Sequence, residues 1–178
     1  MEIEINGEYH PIRNKCDYRV VLDVICALDD EELTTQERAQ CALFIFYEDV
    51  SKIDDFEVAI KEMYRIINGG NEDVKQSSSN QRLMDWEFDF QRIAPPVSRV
   101  IGYDIRMPDK FTHWYSFLGA YMEIGDCCFS TIVSIRSKIA KNKTLEKWEE
   151  NYLREHKKII EIPKKFTAEE REILNSEW

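Results

Sequence analysis

Apolar and polar side chains alternate over residues 1–12 and recur at helical spacing after that. The alternating apolar positions lie on either side of an Asn6-Gly7 pair. Those positions are Ile3, Ile5, Tyr9 and Ile12. An Asn-Gly pair inside such an alternation is typical of a two-stranded turn, so the pattern predicts a short N-terminal β-hairpin.

Three amphipathic helices are predicted next, each opened by a side chain that can cap its first turn. Asp17 begins the first helix, which ends near Leu28, and Asp54 or Asp55 begins the third. Thr34 and Glu37 have the spacing of a capping box at the start of the second. The residues expected to face the core are Val21, Val24, Ile25 and Leu28 in the first helix, Ala39, Ala42, Leu43 and Phe46 in the second, and Phe56, Ala59, Ile60, Met63 and Ile67 in the third.

A polar stretch then divides the chain. Asn68-Gly69-Gly70 ends the third helix, and residues 71–82 are rich in Ser, Asn and Gln with no apolar period. This composition predicts a flexible linker. The predicted organisation is an N-terminal part of residues 1–70, the linker, and a helical part of residues 83–178. A single continuous domain is the alternative.

Aromatic and acidic residues alternate directly after the linker. Trp86, Phe88 and Phe90 share one side if this stretch is extended, whereas Trp86 and Phe90 stack at i, i+4 if it is helical. The pattern leaves both alternatives open. A helix is predicted further on, with Ile93, Val97 and Ile101 four residues apart, Gly102 as its stop and Pro95-Pro96 inside it. At the prolines this helix either restarts or kinks.

The most aromatic stretch lies at residues 109–124. At helical spacing Trp114, Leu118, Tyr121 and Met122 share one face, and further aromatic residues extend this face almost around the helix. The additional residues are Phe111, Tyr115 and Phe117. A helix that is apolar nearly all round must be covered by its neighbours or by a partner. We expect a central core helix introduced by Pro108 and Asp109, and the alternative is that part of its aromatic surface binds a second protein.

The C-terminal pattern is also helical. One helix has Cys128, Ile132, Ile135 and Ile139 on one face. A second begins at Thr144, carries Leu145, Trp148, Tyr152 and Ile159, and ends at Pro163, and a short last helix runs from Thr167 to Trp178. The predicted fold class is therefore mainly α: a multi-helix bundle with a short N-terminal β-hairpin.

The charge of the chain is acidic and uneven. The net charge is −10, and residues 1–70 hold 7 Lys and Arg against 16 Asp and Glu, a net charge of −9. No cluster of Lys and Arg occurs, so a nucleic-acid partner is not expected.

No run of about 18 apolar residues occurs, so no membrane helix is expected. The N-terminus is acidic where a signal peptide is basic, and the odd number of cysteines, five, indicates reduced thiols in a cytosol.

No pattern of catalytic, cofactor-binding or metal-binding residues is present. His113 with Cys127 or Cys128 is the one candidate for nucleophilic chemistry or for zinc, but adjacent cysteines on a helix point apart and are typical of packing. The carboxylates of residues 29–32 indicate an acidic loop rather than a divalent-metal site. We therefore predict that the protein is not an enzyme and uses no cofactor.

The second half of the chain resembles a known family in the order and spacing of its motifs. The sequence Tyr103-Asp104-Ile105 is followed by His113-Trp114-Tyr115-Ser116-Phe117, then by a helix ending at Ile135-Arg136, a Lys-rich turn and a charged helix. In this order the chain resembles a phage protein family of Gram-positive hosts that is named for gene product fifteen. Its N-terminal part is similar too, with a strand pair, an Asp-initiated helix and an acidic loop. Pro95-Pro96 departs from the family, which has small helical residues there.

The resemblance implies a function. Members of the family look like tail assembly chaperones of siphophages and their prophages, which coat the long tape measure protein and keep it soluble while tail tube subunits polymerise around it. It implies no cofactor, self-association as a homo-oligomer, and protein partners: the tape measure protein and the tail tube protein. It also implies a location in the host bacterial cytoplasm and absence from the mature virion.

Aromatic side chains are the expected contacts with such a client. The predicted partner-binding residues are Trp86, Phe88, Phe90, Trp114, Tyr115 and Trp148. Two other functions compete with the chaperone. One is a structural virion component, such as a tail or head–tail connector protein, and the other is a helical enzyme that uses His113.

Overall fold

The computed structural model describes residues 1–71 and 82–163. These residues form two compact units. The first contains residues 1–71 and 111–118, and the second contains residues 82–110 and 119–163. The sequence pattern did not indicate that 111–118 belong with the N-terminal residues. Residues 72–81, which make up most of the predicted linker, and the predicted last helix lie outside the described residues, so the linker, the last helix and the division at the linker stay predictions.

The first unit begins with the predicted hairpin. Strand β1 (Glu2–Ile5) pairs antiparallel with β2 (Glu8–Pro11). Asn6 and Gly7 have φ values of 51° and 89°, and a type I′ turn requires a positive φ at both positions. Ile3 and Ile5 are buried, whereas Glu2 and Glu4, which alternate with them, are exposed. The predicted hairpin is confirmed.

Three helices follow: α1 (Tyr18–Leu28), α2 (Thr35–Phe46) and α3 (Phe56–Ile67). The capping box at the start of α2 is confirmed, because Glu37 N donates to Thr34 Oγ1 at 3.3 Å and Thr34 N donates to the Glu37 carboxylate at 2.8 Å. Asp55, rather than Asp54, caps α3 and accepts a hydrogen bond from Val58 N at 3.0 Å. A 3-10 helix (Val50–Lys52) lies between α2 and α3.

Asp17 caps α1 and also holds a distant part of the chain. Its carboxylate accepts hydrogen bonds from Arg19 N at 3.0 Å, from Arg19 Nε at 2.7 Å and from Thr112 N at 3.2 Å. Burial by itself raises the pKa of Asp17, but these hydrogen bonds and the Arg19 charge outweigh it and hold the pKa below its usual value. The predicted helix start at Asp17 is confirmed.

The buried face of α3 differs from the predicted one. Ala59, Met63 and Ile66 are buried, whereas Phe56 is 51% exposed. At 100° per residue, the buried stripe is centred on those three residues and Phe56 lies on its flank together with Ile60. The prediction that Phe56 faces the core is therefore wrong.

The aromatic helix α5 (Trp114–Met122) begins five residues later than predicted. The backbone before it pairs with the start of α1 instead of coiling. Tyr18 N donates to Thr112 O and Trp114 N donates to Cys16 O, both at 2.9 Å. These hydrogen bonds hold residues 111–113 in an extended segment, and α5 can begin only after it.

The buried face of α5 is also rotated from the predicted one. Trp114, Phe117 and Ala120 are buried at a spacing of three, and Met122 is 76% exposed. A helical wheel places Met122 roughly 140° from the centre of this stripe. The prediction holds for Trp114 and is wrong for Met122.

The second unit begins with α4 (Trp86–Ile101), so residues 86–90 are helical and not extended. Asp85 caps this helix through Phe88 N, and Gly102 ends it with a left-handed φ of 92°. Pro95 and Pro96 lie inside one helix that does not restart. Their missing N–H groups leave the carbonyls one turn earlier without their usual helical donors.

Helix α6 (Cys128–Ala140) buries an arginine that the apolar pattern did not reveal. Its buried residues are Phe129, Ile132, Ile135 and Arg136, whereas Cys128 and Ile139 are exposed. The predicted face is therefore right for Ile132 and Ile135 and wrong for its two ends. Arg136 follows the same stripe, and a buried salt bridge to Asp89 explains its burial.

Two short helices complete the described part of the second unit: α7 (Lys147–Glu155) and α8 (Lys157–Ile160). Helix α7 begins three residues after the predicted start at Thr144, because Glu146 is its capping residue: Glu146 N donates to the Glu149 carboxylate at 2.8 Å and sets the first turn. The expected single helix is divided at His156. The predicted fold class, mainly α with a short N-terminal β-hairpin, is confirmed.

Candidate protein-binding surfaces

Trp114 lies in the core of the first unit. It is 1% exposed, its Nε1 donates to the carbonyls of Ile66 at 3.0 Å and Ile67 at 3.1 Å, and its ring stacks on Phe117 at 5.6 Å. The indole thus satisfies carbonyls at the C-terminal end of α3, where a helix has no intrahelical donors. Trp114 is not part of the accessible surface in this structure.

Tyr115 belongs to a row of partly exposed rings. Phe111 and Tyr115, 53% and 37% exposed, lie on either side of His113, with ring centroids 6.5 Å and 5.3 Å away from that of His113. Tyr115 N donates to His113 Nδ1 at 3.2 Å, so this nitrogen carries no proton. Burial, with a smaller effect of the N-terminal charge, lowers the pKa of His113. The imidazole is engaged in packing and in satisfying the first turn of α5.

In the second unit Trp86, Phe88 and Phe90 are half-buried on α4. The Trp86 ring lies 5.2 Å from that of Tyr121, and Phe88 faces the guanidinium of Arg92 at 5.1 Å. Trp148 on α7 is 52% exposed, and its Nε1 donates to a Glu146 carboxylate oxygen at 2.7 Å. Partner binding by the six predicted residues stays a prediction, and Trp148 and Tyr115 are the most accessible of them.

A buried ion pair fixes the geometry of the second unit. The guanidinium of Arg136 donates to the two carboxylate oxygens of Asp89 at 2.6 Å and 3.0 Å. It also donates to the carbonyls of Leu83 at 3.1 Å, Ile159 at 2.9 Å and Ile160 at 2.6 Å. A guanidinium has five N–H donors, and these contacts use five. The pair thus joins α4, α6, α8 and Leu83, which lies three residues before the first residue of α4.

The first unit has an open apolar groove between α2 and α3, with a volume of about 420 Å³. We call it the α2–α3 groove. Its apolar lining consists of Ala39, Leu43, Phe44, Val50, Phe56 and Ile60. Phe44 is 64% and Phe56 is 51% exposed. The amides of Gln36 and Gln40 complete the lining.

Sequence reasoning missed this groove. It placed Phe56 in the core and did not consider Phe44. The sequence did contain a signal for it. Phe44 lies outside the predicted apolar stripe of α2, and an aromatic residue on the outer face of an amphipathic helix is expected to be exposed.

A second cavity, of about 440 Å³, lies in the second unit between α4 and the start of α6. The arginines and cysteines that line it already have structural contacts. Arg92 donates to Phe88 O at 2.9 Å and Arg99 to Ile124 O at 2.6 Å. Cys127 Sγ accepts from Ser130 N at 3.4 Å and so caps α6.

Cys128 contacts a tyrosine instead of a histidine. Its Sγ lies 3.4 Å from the hydroxyl of Tyr152. This hydrogen bond, together with burial, raises the pKa of Tyr152 to about 12. The contacts of His113 and of the two cysteines give these residues structural roles, and none of these contacts joins a thiol to an imidazole.

Two further features concern the described residues as a whole. Within residues 1–71 and 82–163, no helix has the length and apolar character that crossing a bilayer requires. Over the same part of the chain, no three His, Cys, Asp or Glu side chains lie close enough together to hold a metal ion.

Comparison with known proteins agrees with the resemblance drawn from the sequence. The family model described as Bacteriophage Gp15 protein matches residues 1–162 of the 178. The match includes every described residue except Pro163 and therefore takes in both compact units. No curated protein and no solved structure matches the chain.

Proposed function

Because the chain belongs to the bacteriophage Gp15 protein family, we propose that it is a tail assembly chaperone. In this role it binds the tape measure protein and keeps it soluble while the tail tube assembles. The observation that supports the proposal most directly is the α2–α3 groove, where two phenylalanine rings are more than half exposed on a strongly acidic part of the chain.

The chemistry of this surface suits a chaperone. Large apolar rings supply most of the binding energy of protein interfaces, so Phe44 and Phe56 provide contacts for an apolar client. The negative charge of this part of the chain makes complexes of chaperone and client repel one another, and this repulsion keeps them in solution. Both properties are needed by a protein that holds an aggregation-prone client in solution.

The proposal includes the partners and the location. The chain acts in the cytoplasm of the host bacterium, without a cofactor, and is not retained in the finished virion. It self-associates into a homo-oligomer, and the tail tube protein is its second partner. It is a binding protein and not an enzyme.

Co-expression with the tape measure protein, which the gene order of the family places immediately downstream of this chain, tests the proposal. We expect that client to be soluble only when this chain is present, and the two to co-elute on size exclusion. Light scattering then gives the stoichiometry, and for the chain alone it gives a multiple of 21.2 kDa.

Two results would contradict the chaperone. One is a client that is equally soluble without the chain and does not co-elute with it. The other is the detection of the chain at fixed copy number in purified particles. The second result would instead establish a structural virion component such as a tail or head–tail connector protein.

A further inference from the structure

We infer that the α2–α3 groove binds an α-helical segment that has one apolar face and a net positive charge. This inference rests on the proposed function and adds the chemistry of the recognised segment and the place where it docks. Three features of the groove lead to it: the helices that form its walls, its exposed rings and the charge around it.

The walls of the groove favour a helix over an extended segment. Both walls are helices, whose backbone groups are hydrogen-bonded internally. An extended client placed against them would have no strand edge to pair with, and its N–H and C=O groups would lose water without gaining partners. A helical client satisfies its own backbone and presents only side chains.

The groove has the length and the contacts for about two turns of such a helix. Its lining on α2 runs from Gln36 to Phe44, a rise of about 12 Å at 1.5 Å per residue. Phe44 on one wall and Phe56 on the other are its two largest apolar side chains. A client helix with apolar residues at i, i+4 and i+7 therefore presents one ridge that fits between two exposed rings.

The net charge of the chain segment that forms the groove predicts the sign of the client's charge. Residues 29–62, which include the whole lining, hold 3 Lys and Arg against 11 Asp and Glu, a net charge of −8. Most of the net charge of −10 therefore lies in this stretch. Electrostatic complementarity attracts a client segment with flanking Lys and Arg. The same charge disfavours the acidic first unit of a second copy as the occupant of the groove, so the occupant is a different chain and self-association uses another surface.

The experiment uses the full-length chain and dye-labelled peptides of about 20 residues that overlap along the protein encoded downstream. Fluorescence anisotropy ranks the peptides by Kd. We expect the tightest-binding peptides to be cationic, to have a helical apolar period, and to weaken as salt is raised. Tight binding confined to acidic or proline-rich peptides would overturn the inference.

Two substitutions locate the binding. Phe44→Gln and Phe56→Gln change exposed rings, so circular dichroism should show unchanged helicity and Tm. We expect each to raise the Kd of the best peptide at least about tenfold, which corresponds to about 1.4 kcal/mol. Tyr9→Gln and Met122→Gln are matched controls, because these side chains are 67% and 76% exposed and do not line the groove. They should leave the Kd unchanged.

A charge reversal provides a second test that does not depend on the rings. Glu57 is exposed and follows Phe56 in α3. Glu57→Lys should weaken the cationic peptides severalfold at low salt and much less at high salt, whereas Glu123→Lys, at an exposed position in the second unit, should not.

The outcomes separate the two proposals. If the full-length client binds equally well to the wild type and to the two groove variants, the groove assignment is wrong and the chaperone stands. If the wild type does not bind the client at all, both fall.

Discussion

Replacing Arg136 by methionine should lower the free energy of unfolding of the second unit by more than a substitution of an exposed side chain does. The change removes the guanidinium that donates to Asp89 at 2.6 Å and 3.0 Å, and it leaves this carboxylate with the longer, 3.8 Å contact to Arg92. Both Arg136 and Asp89 are buried. Removing one member of a buried ion pair costs about 3–5 kcal/mol, because the other charge stays buried without its partner. Domains are stable by only about 5–15 kcal/mol, so the loss is a large fraction of the total.

The measurement is thermal and urea unfolding followed by circular dichroism. For a chain of this size 1 kcal/mol corresponds to about 2–4 °C in Tm, so Arg136→Met should lower the Tm by roughly 6–20 °C. Arg154→Met is the matched control. Arg154 is exposed and donates a hydrogen bond to the side chain of its neighbour Asn151, so its loss should cost less than about 1 kcal/mol.

A double-mutant cycle separates the ion pair from the other contacts of Arg136. Asp89→Leu and Arg136→Met are made singly and together. We expect the double variant to be more stable than the sum of the single losses predicts, by about 1–3 kcal/mol, since neither charge is then left alone. A cost of less than about 1 kcal/mol for Arg136→Met, or strict additivity in the cycle, would refute this reasoning.

Two further predictions concern titration and thiol reactivity. The pKa of Asp17 is depressed in the folded state, so its stabilising effect is complete above its unfolded pKa of about 3.9 and is lost as the pH falls through the folded pKa. The difference in Tm between wild type and Asp17→Asn should therefore narrow below about pH 4, and a constant difference would contradict the assignment. Burial raises the pKa of the Cys16 thiol to about 11. Iodoacetamide at pH 8 should therefore modify the exposed Cys128 in the native protein, and Cys16 only after the protein is unfolded. Mass spectrometry of the labelled peptides checks this prediction.

The starts of the three helices in the N-terminal residues were predictable because capping is local. Asp17, Thr34 and Asp55 each bond to a backbone N–H two or three residues ahead, so a short window of sequence contains both partners. The turn at Asn6-Gly7 is equally local, and it too was predicted correctly. In each case the information that sets the structure lies within a few residues.

Features set by distant partners were not predictable from one sequence. Arg136 was not identified as a core residue because its partner Asp89 lies 47 residues earlier. The extended segment before α5 depends on Cys16 and Tyr18, nearly a hundred residues away. Phe56 was predicted to face the core because its spacing puts it on the apolar face of α3. Periodicity identifies that face, but it does not show which part of the face the other elements of the fold cover.

The place of residues 111–118 in the first unit affects how the protein is made. A ribosome delivers residues 1–71 about 40 residues before this segment, which takes roughly 2–8 s at 5–20 residues per second. During that interval the carbonyls of Ile66 and Ile67 lack the indole of Trp114, and the ring of Tyr18 lacks its stacking partner Phe117. The N-terminal residues therefore complete their core only when translation has passed residue 118, and a gene fragment that stops at residue 71 encodes an unfinished unit.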